Sequence, residues 1–315
     1  MAKILITGAH GFIGKHLARH LAAQGHVVSG LGHGIWPSIE ASSWGIQEWL
    51  NGDVQSANLR TLQARSDPEL IFHLAGGSAV GAAVANPRED FFRTVASTVE
   101  LLEWMRVDSP HARLIAVSSA AVYGSGFRGP IPEDVESTPY SPYGHHKKMM
   151  EQLCRSYRDT YGIDCRVARL FSVYGPQLKK QLLWDICTRL AVSTDPLVLG
   201  GSGEELRDWT FVEDVVRALD LIAFQEDQPQ PQAVNIGTGI GTPVRDIAHA
   251  LISAWHARHE ASPRPKVQFS GRSRPGDPLS LIADPARLTI MGFKWNTPLA
   301  GGIDSFVEWF SQLTR

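Results

Sequence analysis

The chain has 315 residues, 43% hydrophobic and 20% charged, with a formal net charge of −2. That profile is globular, with enough length for one large core and a smaller lobe. It carries neither the basic field that recruits nucleic acid or anionic lipid nor an apolar run near the ~20 residues of a membrane-crossing helix, so the expectation is a cytoplasmic protein with no nucleic-acid and no membrane partner.

The opening residues pass directly into a strand run, Lys3–Thr7, that Gly8 breaks, too soon for a secretory signal. A helix is predicted over 14–24 from its apolar spacing, then strands over 26–31, 70–74, 113–118 and 165–171. Strands separated by helices of ten or more residues imply parallel pairing through right-handed crossovers, the doubly wound α/β architecture. Apolar periodicity over 90–105 and 143–161 supplies helices for the sheet faces. After Gly175 the rhythm changes to a helix over 181–192, a short strand over 197–203, a strand at Ala233–Ile236 and a helix over 244–255. A basic Pro/Gly-rich connection over 263–278 leads to a last helix over 302–312. The expected division is a dinucleotide-binding domain over 1–175, rejoined by 207–237, and a substrate-binding lobe of 176–206 and 238–315. Cys154, Cys165 and Cys187 are odd in number and lack CxxC spacing, so they read as reduced, buried thiols.

Two motifs carry chemistry. Gly8-Ala-His-Gly11-Phe12-Ile13-Gly14 lies between a strand and a helix, where backbone N–H groups at a helix N-terminus suit a pyrophosphate and glycines permit its close approach. The spacing is GxxGxxG rather than GxGxxG, and by itself it is also compatible with a plain tight turn. Tyr143-Gly-His-His-Lys147 puts Tyr and Lys on one helix face, where an ammonium lowers a tyrosine pKa toward an acid/base range. Ser119 ends an apolar strand, the position at which α/β proteins place sites.

The segments ITGAHGFIG, IFHLAG, VSSAAVYG, SPYGHHK, RLFSVYGP, GSGEELRDWTFVEDV, NIGTG and RPGDP follow in this order across nearly the whole chain. Together they resemble the extended short-chain dehydrogenase/reductase family, nucleotide-sugar epimerase/dehydratase type, with UDP-glucose 4-epimerase as its type member. The resemblance implies Ser119, Tyr143 and Lys147 as the catalytic triad, with Tyr143 and Lys147 also at the cofactor. It implies Gly8, Gly11 and Gly14 at the pyrophosphate, Phe12 and Ile13 also at the cofactor, Asp53 and Val54 at the adenine, and Leu74, Ala75 and Gly76 along the dinucleotide. It implies Arg207 and Arg274 on the substrate diphosphate, where a planar guanidinium fork suits phosphate oxygens. Ser78 and Ser172 are placed at the sugar nucleotide, and a homodimer through the two long helices is expected.

The departures narrow the reaction. Dehydratases of the family carry Asp-Glu after the catalytic Ser/Thr, whereas Ala120-Ala121 stand here and cannot move a proton. NAD-preferring members end the second strand with a carboxylate for the adenosine 2′-OH, whereas Gly32 stands here with His33 beside it. The cofactor is therefore NAD or NADP, with His33 as a 2′-phosphate contact in the second case. Ser172 and Thr94 replace asparagines common in the family. The leading expectation is a nucleotide-sugar epimerase working by transient hydride transfer at a sugar carbon, C4. The alternative is an NADPH-dependent 4-ketoreductase, and a silent dinucleotide sensor is disfavoured because the Ser-Tyr-Lys set is complete. No metal is expected. His16 and His20, at i and i+4, read as a solvated helix face, and His145 and His146 as helix positions beside the site rather than bases.

Overall fold

The computed structural model describes residues 1–226, 232–272 and 278–313. The strands of the first half are β1 (Lys3–Thr7), β2 (Val27–Gly32), β3 (Ile46–Asn51), β4 (Leu70–His73), β5 (Arg113–Ser119) and β6 (Pro130–Ile131). Those of the second half are β7 (Cys165–Leu170), β8 (Ser172–Tyr174), β9 (Leu197–Leu199), β10 (Leu206–Phe211), β11 (Ala233–Ile236), β12 (Gly241–Pro243), β13 (Val267–Phe269) and β14 (Ser280–Ala283). Among the described residues, seven form one parallel sheet in the order β11-β7-β5-β4-β1-β2-β3. This is a doubly wound Rossmann sheet, and the strand order reverses between β1 and β4, where such sheets leave a crevice.

Strand alternation explains the two cores. Ile4 and Ile6 of β1 point to one face with Val28, Phe72, Ile115 and Val117, while Leu5 points to the other with Leu31, Ile71, Leu114 and Ala116. The first face is covered by the helix Phe12–Ala23, through Leu17 and Leu21, and by Val212–Phe224, through Val215 and Leu219. The second face takes the helices Ser56–Gln63, Ser97–Asp108 and Pro142–Tyr161. The last of these is signalled at both ends: the Ser141 hydroxyl accepts from the Gly144 N–H, Pro142 holds the first turn, and Gly162 ends it at φ +72°. A separate core builds the smaller lobe from helices Gln181–Ala191, Val244–Arg258 and Leu299–Leu313, around Ile186, Leu251 and Phe306. The strands β12, β10, β14 and β6 form a second sheet joined by β8, and β13 pairs with β9.

Several elements differ from expectation. The strand β3 escapes the pattern reading because it lies at the sheet edge and has mixed exposure. The helix expected over 90–105 is three segments: an α-helix at Pro87–Phe91, a π-helical turn at Phe92–Ala96, and an α-helix from Ser97. The strand expected over 197–203 stops at Leu199, and the 263–278 connection holds β13 before passing outside the described residues. The last helix begins at Leu299, three residues early.

A buried polar network ties the large sheet to the loop between β5 and the helix Pro142–Tyr161. The Tyr123 hydroxyl donates to Asn235 Oδ1 of β11 at 2.6 Å and accepts from Arg169 Nη1 of β7 at 2.9 Å. Arg169 in turn holds Glu151, which accepts from the Ser118 hydroxyl at 2.5 Å. Tyr123→Phe leaves both Arg169 and Asn235 one partner short in a buried setting. The variant is expected to lose about 1–3 kcal/mol of stability in denaturant unfolding, with its secondary structure retained by circular dichroism.

Candidate active site

A cavity of about 460 Å³ opens at the C-terminal ends of the central strands. One wall is the glycine loop itself: Gly8, Gly11, Phe12, Ile13 and Gly14 all line it, with Leu74 after β4. Side chains do not fit here, since a Cβ on Gly14 would lie 2.4 Å from the Gly8 carbonyl oxygen and one on Gly8 2.8 Å from the Ala75 nitrogen. Gly11 caps the helix Phe12–Ala23 without a side-chain hydrogen bond, so the first N–H groups face the cavity unclaimed by any cap. Backbone donors at a helix N-terminus in a cradle without side chains fit a dinucleotide pyrophosphate. Ala75 and Gly76 lie just behind this wall: the Ala75 N–H donates to the Thr7 hydroxyl at 3.2 Å, and Gly76 faces the Lys147 ammonium.

Ser119, Tyr143 and Lys147 line the same cavity. Gly144 makes this possible, because a Cβ there would sit 2.5 Å from the Ala121 carbonyl oxygen and push the helix off the turn that follows β5. The approach brings the Tyr143 hydroxyl into a hydrogen bond with Ser119, whose oxygen also accepts from the Ala121 N–H at 3.2 Å. Lys147 is buried and its Nζ donates to the Val117 carbonyl at 2.9 Å. Burial lowers its pKa to about 8, against the pull of Asp90 and Glu151. The expected lowering of Tyr143 is not found. Burial pushes its pKa above the usual tyrosine value, and the Ser119 hydrogen bond only partly opposes that.

Sequence reasoning missed His73 and Asp90 in the layer beneath these residues. His73 bridges Thr7 and Thr98 at 2.7 and 3.1 Å, and burial followed by the Lys147 charge lowers its pKa to about 3. Asp90, buried below the loop after β4, pairs with His146 Nδ1 at 2.5 Å. The His146 side chain thus points inward to a carboxylate 56 residues away, which no local spacing announces. Thr94 accepts from the Gly77 N–H at 2.8 Å and holds the same loop.

On the substrate side Ser78, Ser172 and Arg207 line the cavity, joined by Trp209 and Lys180, which the sequence reading did not place there. Pairing of Ser172 on β8 with Trp209 on β10 brings these strands to the rim. Arg274 lies outside the described residues. Ala120 and Ala121 present methyl groups to the cavity. Trp184 packs in the lobe, 5.0 Å from Phe310 and 6.0 Å from Trp309 between ring centroids.

His33, Asp53 and Val54 do not line the cavity. His33 Nε2 and Asp53 Oδ1 form an exposed pair at 2.9 Å, and Val54 is buried in the core of the second sheet face. A Cβ on Gly32 would meet the Trp49 ring at 3.3 Å, so Trp49 occupies the space beside the missing carboxylate. His16 is buried rather than solvated, and it contacts Glu213 at 2.9 Å while His20 contacts Asp220 at 3.0 Å. Among the described residues no group of three His, Cys, Asp or Glu side chains is arranged for a metal ion, and no helix is long and apolar enough to cross a membrane.

Sheet order, glycine cradle and crevice define a doubly wound dinucleotide-binding protein with an acid/base set facing the nucleotide wall. The chain belongs to the NAD dependent epimerase/dehydratase family, whose profile matches residues 4–237. It is 31% identical to the UDP-glucose 4-epimerase of Mycolicibacterium smegmatis over 98% of each chain. Among solved structures it is similar to the UDP-glucuronic acid 4-epimerase of Bacillus cereus in complex with UDP-glucuronic acid and NAD, with a TM-score of 0.86, 26% identity and 99% of each chain covered. It is similar also to the UDP-glucose 4-epimerase of Thermotoga maritima with UDP-glucose, with a TM-score of 0.87, 25% identity, and 99% of this chain and 100% of that one covered.

The neutral, buried His73 makes stability depend on pH. Its folded pKa lies below the 6.5 of an ordinary histidine, so the unfolded chain takes up the proton first as pH falls. Stability from this group is whole above pH 6.5 and drains at up to about 1.4 kcal/mol per pH unit toward pH 3. His73→Asn removes the titration and is expected to show a smaller fall in Tm between pH 7 and pH 5 than the wild type, measured by calorimetry.

Proposed function

We propose that this chain is a nucleotide-sugar 4-epimerase that works with tightly held NAD on UDP-hexoses. The observation that carries the reading is the single cavity shared by the uncapped glycine-loop helix and the Ser119–Tyr143–Lys147 set. Relatives that span nearly the whole chain include ones named UDP-glucose 4-epimerase and UDP-glucuronate 4-epimerase, and solved neighbours hold UDP-sugars and NAD, which favours this reading over a ketoreductase.

In this reading Tyr143 takes the proton of the sugar's C4 hydroxyl and returns it after the sugar has turned over. NAD, when bound, supplies the hydride acceptor and donor for that carbon. Ser119 orients the oxygen through the hydroxyl that already meets Tyr143. The first proton transfer needs a tyrosinate, which burial of Tyr143 opposes and the Ser119 hydrogen bond partly favours; Lys147, one helical turn away, favours it only when its ammonium leaves the Val117 carbonyl. Gly8, Gly11, Phe12, Ile13 and Gly14 hold the pyrophosphate, Leu74, Ala75 and Gly76 flank the nicotinamide half, and His33, Asp53 and Val54 meet the adenosine end. Ser78 and Ser172 take the sugar nucleotide, and Arg207 and Arg274 grip its diphosphate. The dinucleotide-binding domain comprises 1–175 rejoined by 207–237, and the substrate lobe comprises the remainder. The same reading places the protein in the cytoplasm, in the synthesis of carbohydrate precursors.

A homodimer belongs to the proposal as well. Phe92, Val99, Val107, Met149 and Tyr161 are exposed on the segments Phe92–Ala96, Ser97–Asp108 and Pro142–Tyr161, and an apolar surface of this kind suits a two-fold interface.

Incubation with UDP-glucose and with UDP-glucuronic acid is expected to give a product of unchanged mass and altered chromatographic retention. A product lighter by one water would overturn the reading, since Ala120 and Ala121 supply no group for elimination. Tyr143→Phe is expected to lower turnover about 10²–10⁴-fold while NAD still co-purifies. Light scattering at micromolar concentration is expected to return twice the chain mass, and a monomer mass would remove the dimer.

A further inference from the structure

Lys180 immediately precedes the helix Gln181–Ala191 and lines the cavity from the small-lobe side. Its Nζ donates to the Ser78 carbonyl at 3.2 Å, and among the described residues that is its only polar contact. Three more deeply buried cations have carboxylates at hand: Arg169 bonds Glu151, Arg166 bonds Asp164, and Lys147 sits in the field of Asp90 and Glu151. Lys180 has no carboxylate in contact among the described residues. Burial makes its ammonium less favourable than that of an ordinary lysine, and no acidic group offsets this. A partly desolvated charge facing a cavity with only a neutral carbonyl for company lacks a counter-charge.

The backbone beside it tells the same story independently. Gln177 and Gln181 both adopt left-handed conformations, at φ +76° and +67°, on either side of the lysine. Non-glycine residues hold such angles at a cost, and they cluster at ligand clamps and switch segments. The turn is tied down at its start by His16 Nε2, 2.9 Å from the Pro176 carbonyl oxygen, so the strain is fixed against the glycine-loop helix. The construction aims one ammonium across the cavity at the loop that follows β4.

We propose that Lys180 is a ligand-binding residue, supplying the cationic partner for a phosphate or carboxylate oxygen of a molecule bound in the cavity and leaving the Ser78 carbonyl to do so. The proposal rests on the reading that this cavity takes NAD and a UDP-sugar. Three sources carry such an oxygen: the dinucleotide pyrophosphate, the UDP diphosphate, and a carboxylate on the hexose.

Isothermal titration separates them, with NAD added to nucleotide-free protein, and UDP-glucose and UDP-glucuronic acid added to NAD-loaded protein, for wild type, Lys180→Met and Lys180→Arg. The methionine variant keeps the apolar stem and is expected to lose roughly tenfold or more in affinity for at least one ligand, the scale of a charge-assisted hydrogen bond, while arginine keeps most of it. A loss for NAD alone assigns the dinucleotide, equal losses for both UDP-sugars assign the diphosphate, and a loss for UDP-glucuronic acid alone assigns the hexose carboxylate. Wild-type binding with Lys180→Met within twofold on all three ligands overturns the proposal. Absence of wild-type binding to any of them would instead refute the functional reading of the cavity, and this one with it.

Discussion

The Lys147 ammonium lies buried at the C-terminal ends of the central strands, with the Val117 carbonyl as its acceptor, and its burial sets the terms for the groups around it. A charge in such a place is tolerated when dipoles and opposite charges surround it. The strand β5 supplies the dipole, and Asp90 and Glu151 supply the charges. Each carboxylate is itself held in place, Glu151 by Arg169 and the Ser118 hydroxyl, and Asp90 by His146. On the remaining side His73 is kept neutral by its burial and, after that, by the Lys147 charge beside it. The polar network that joins β5, β7 and β11 is thus continuous with the support of one lysine, which links the fold of the sheet to the chemistry at its edge.

Tyr143 stands one turn away in a different condition. Its hydroxyl meets Ser119 in the cavity wall, and burial keeps it a phenol. The positive charge that the sequence places at i+4 does reach the same helix face, but the ammonium is turned into the sheet toward Val117 rather than toward the phenol. Residue spacing fixes which groups are neighbours, whereas protonation follows from where each atom points and what solvent it retains. That distinction is why the meeting of Ser119, Tyr143 and Lys147 at one cavity was legible in the sequence and the sign of the tyrosine shift was not.

The same distinction runs through the rest of the chain. The β1 strand, the glycine loop and the Pro142–Tyr161 helix carry their signals within a few residues: alternation, a cap, a proline at the first turn and a glycine at the end. The family resemblance brought Arg207, Ser78 and Ser172 to the cavity wall, where no local period marks them. Nothing local announces the Asp90–His146 pair, the burial of His16 against Glu213, or the arrival of Lys180 at the loop after β4, because each depends on partners from 56 to 197 residues distant. The edge strand β3 escaped for a related reason. A strand paired on one side with mixed exposure lacks the apolar run that marks β4 or β5.

The glycines at the end of β2 follow from packing on that same edge strand. Trp49 of β3 lies over β2, where it would contact a Cβ on Gly30 at 3.1 Å and on Gly32 at 3.3 Å. Trp36 stacks on it edge-on, with ring centroids 5.3 Å apart, and His10 of the glycine loop packs on Trp36 at 4.7 Å. The loss of a carboxylate from the end of β2 is therefore not an isolated substitution. The Trp49 ring, backed by Trp36 and His10, presses on both glycines of the strand, and a side chain at position 32 would require that ring to give way by a few tenths of an ångström. Just beyond the strand the exposed His33 and Asp53 side chains meet at 2.9 Å, outside the reach of those rings.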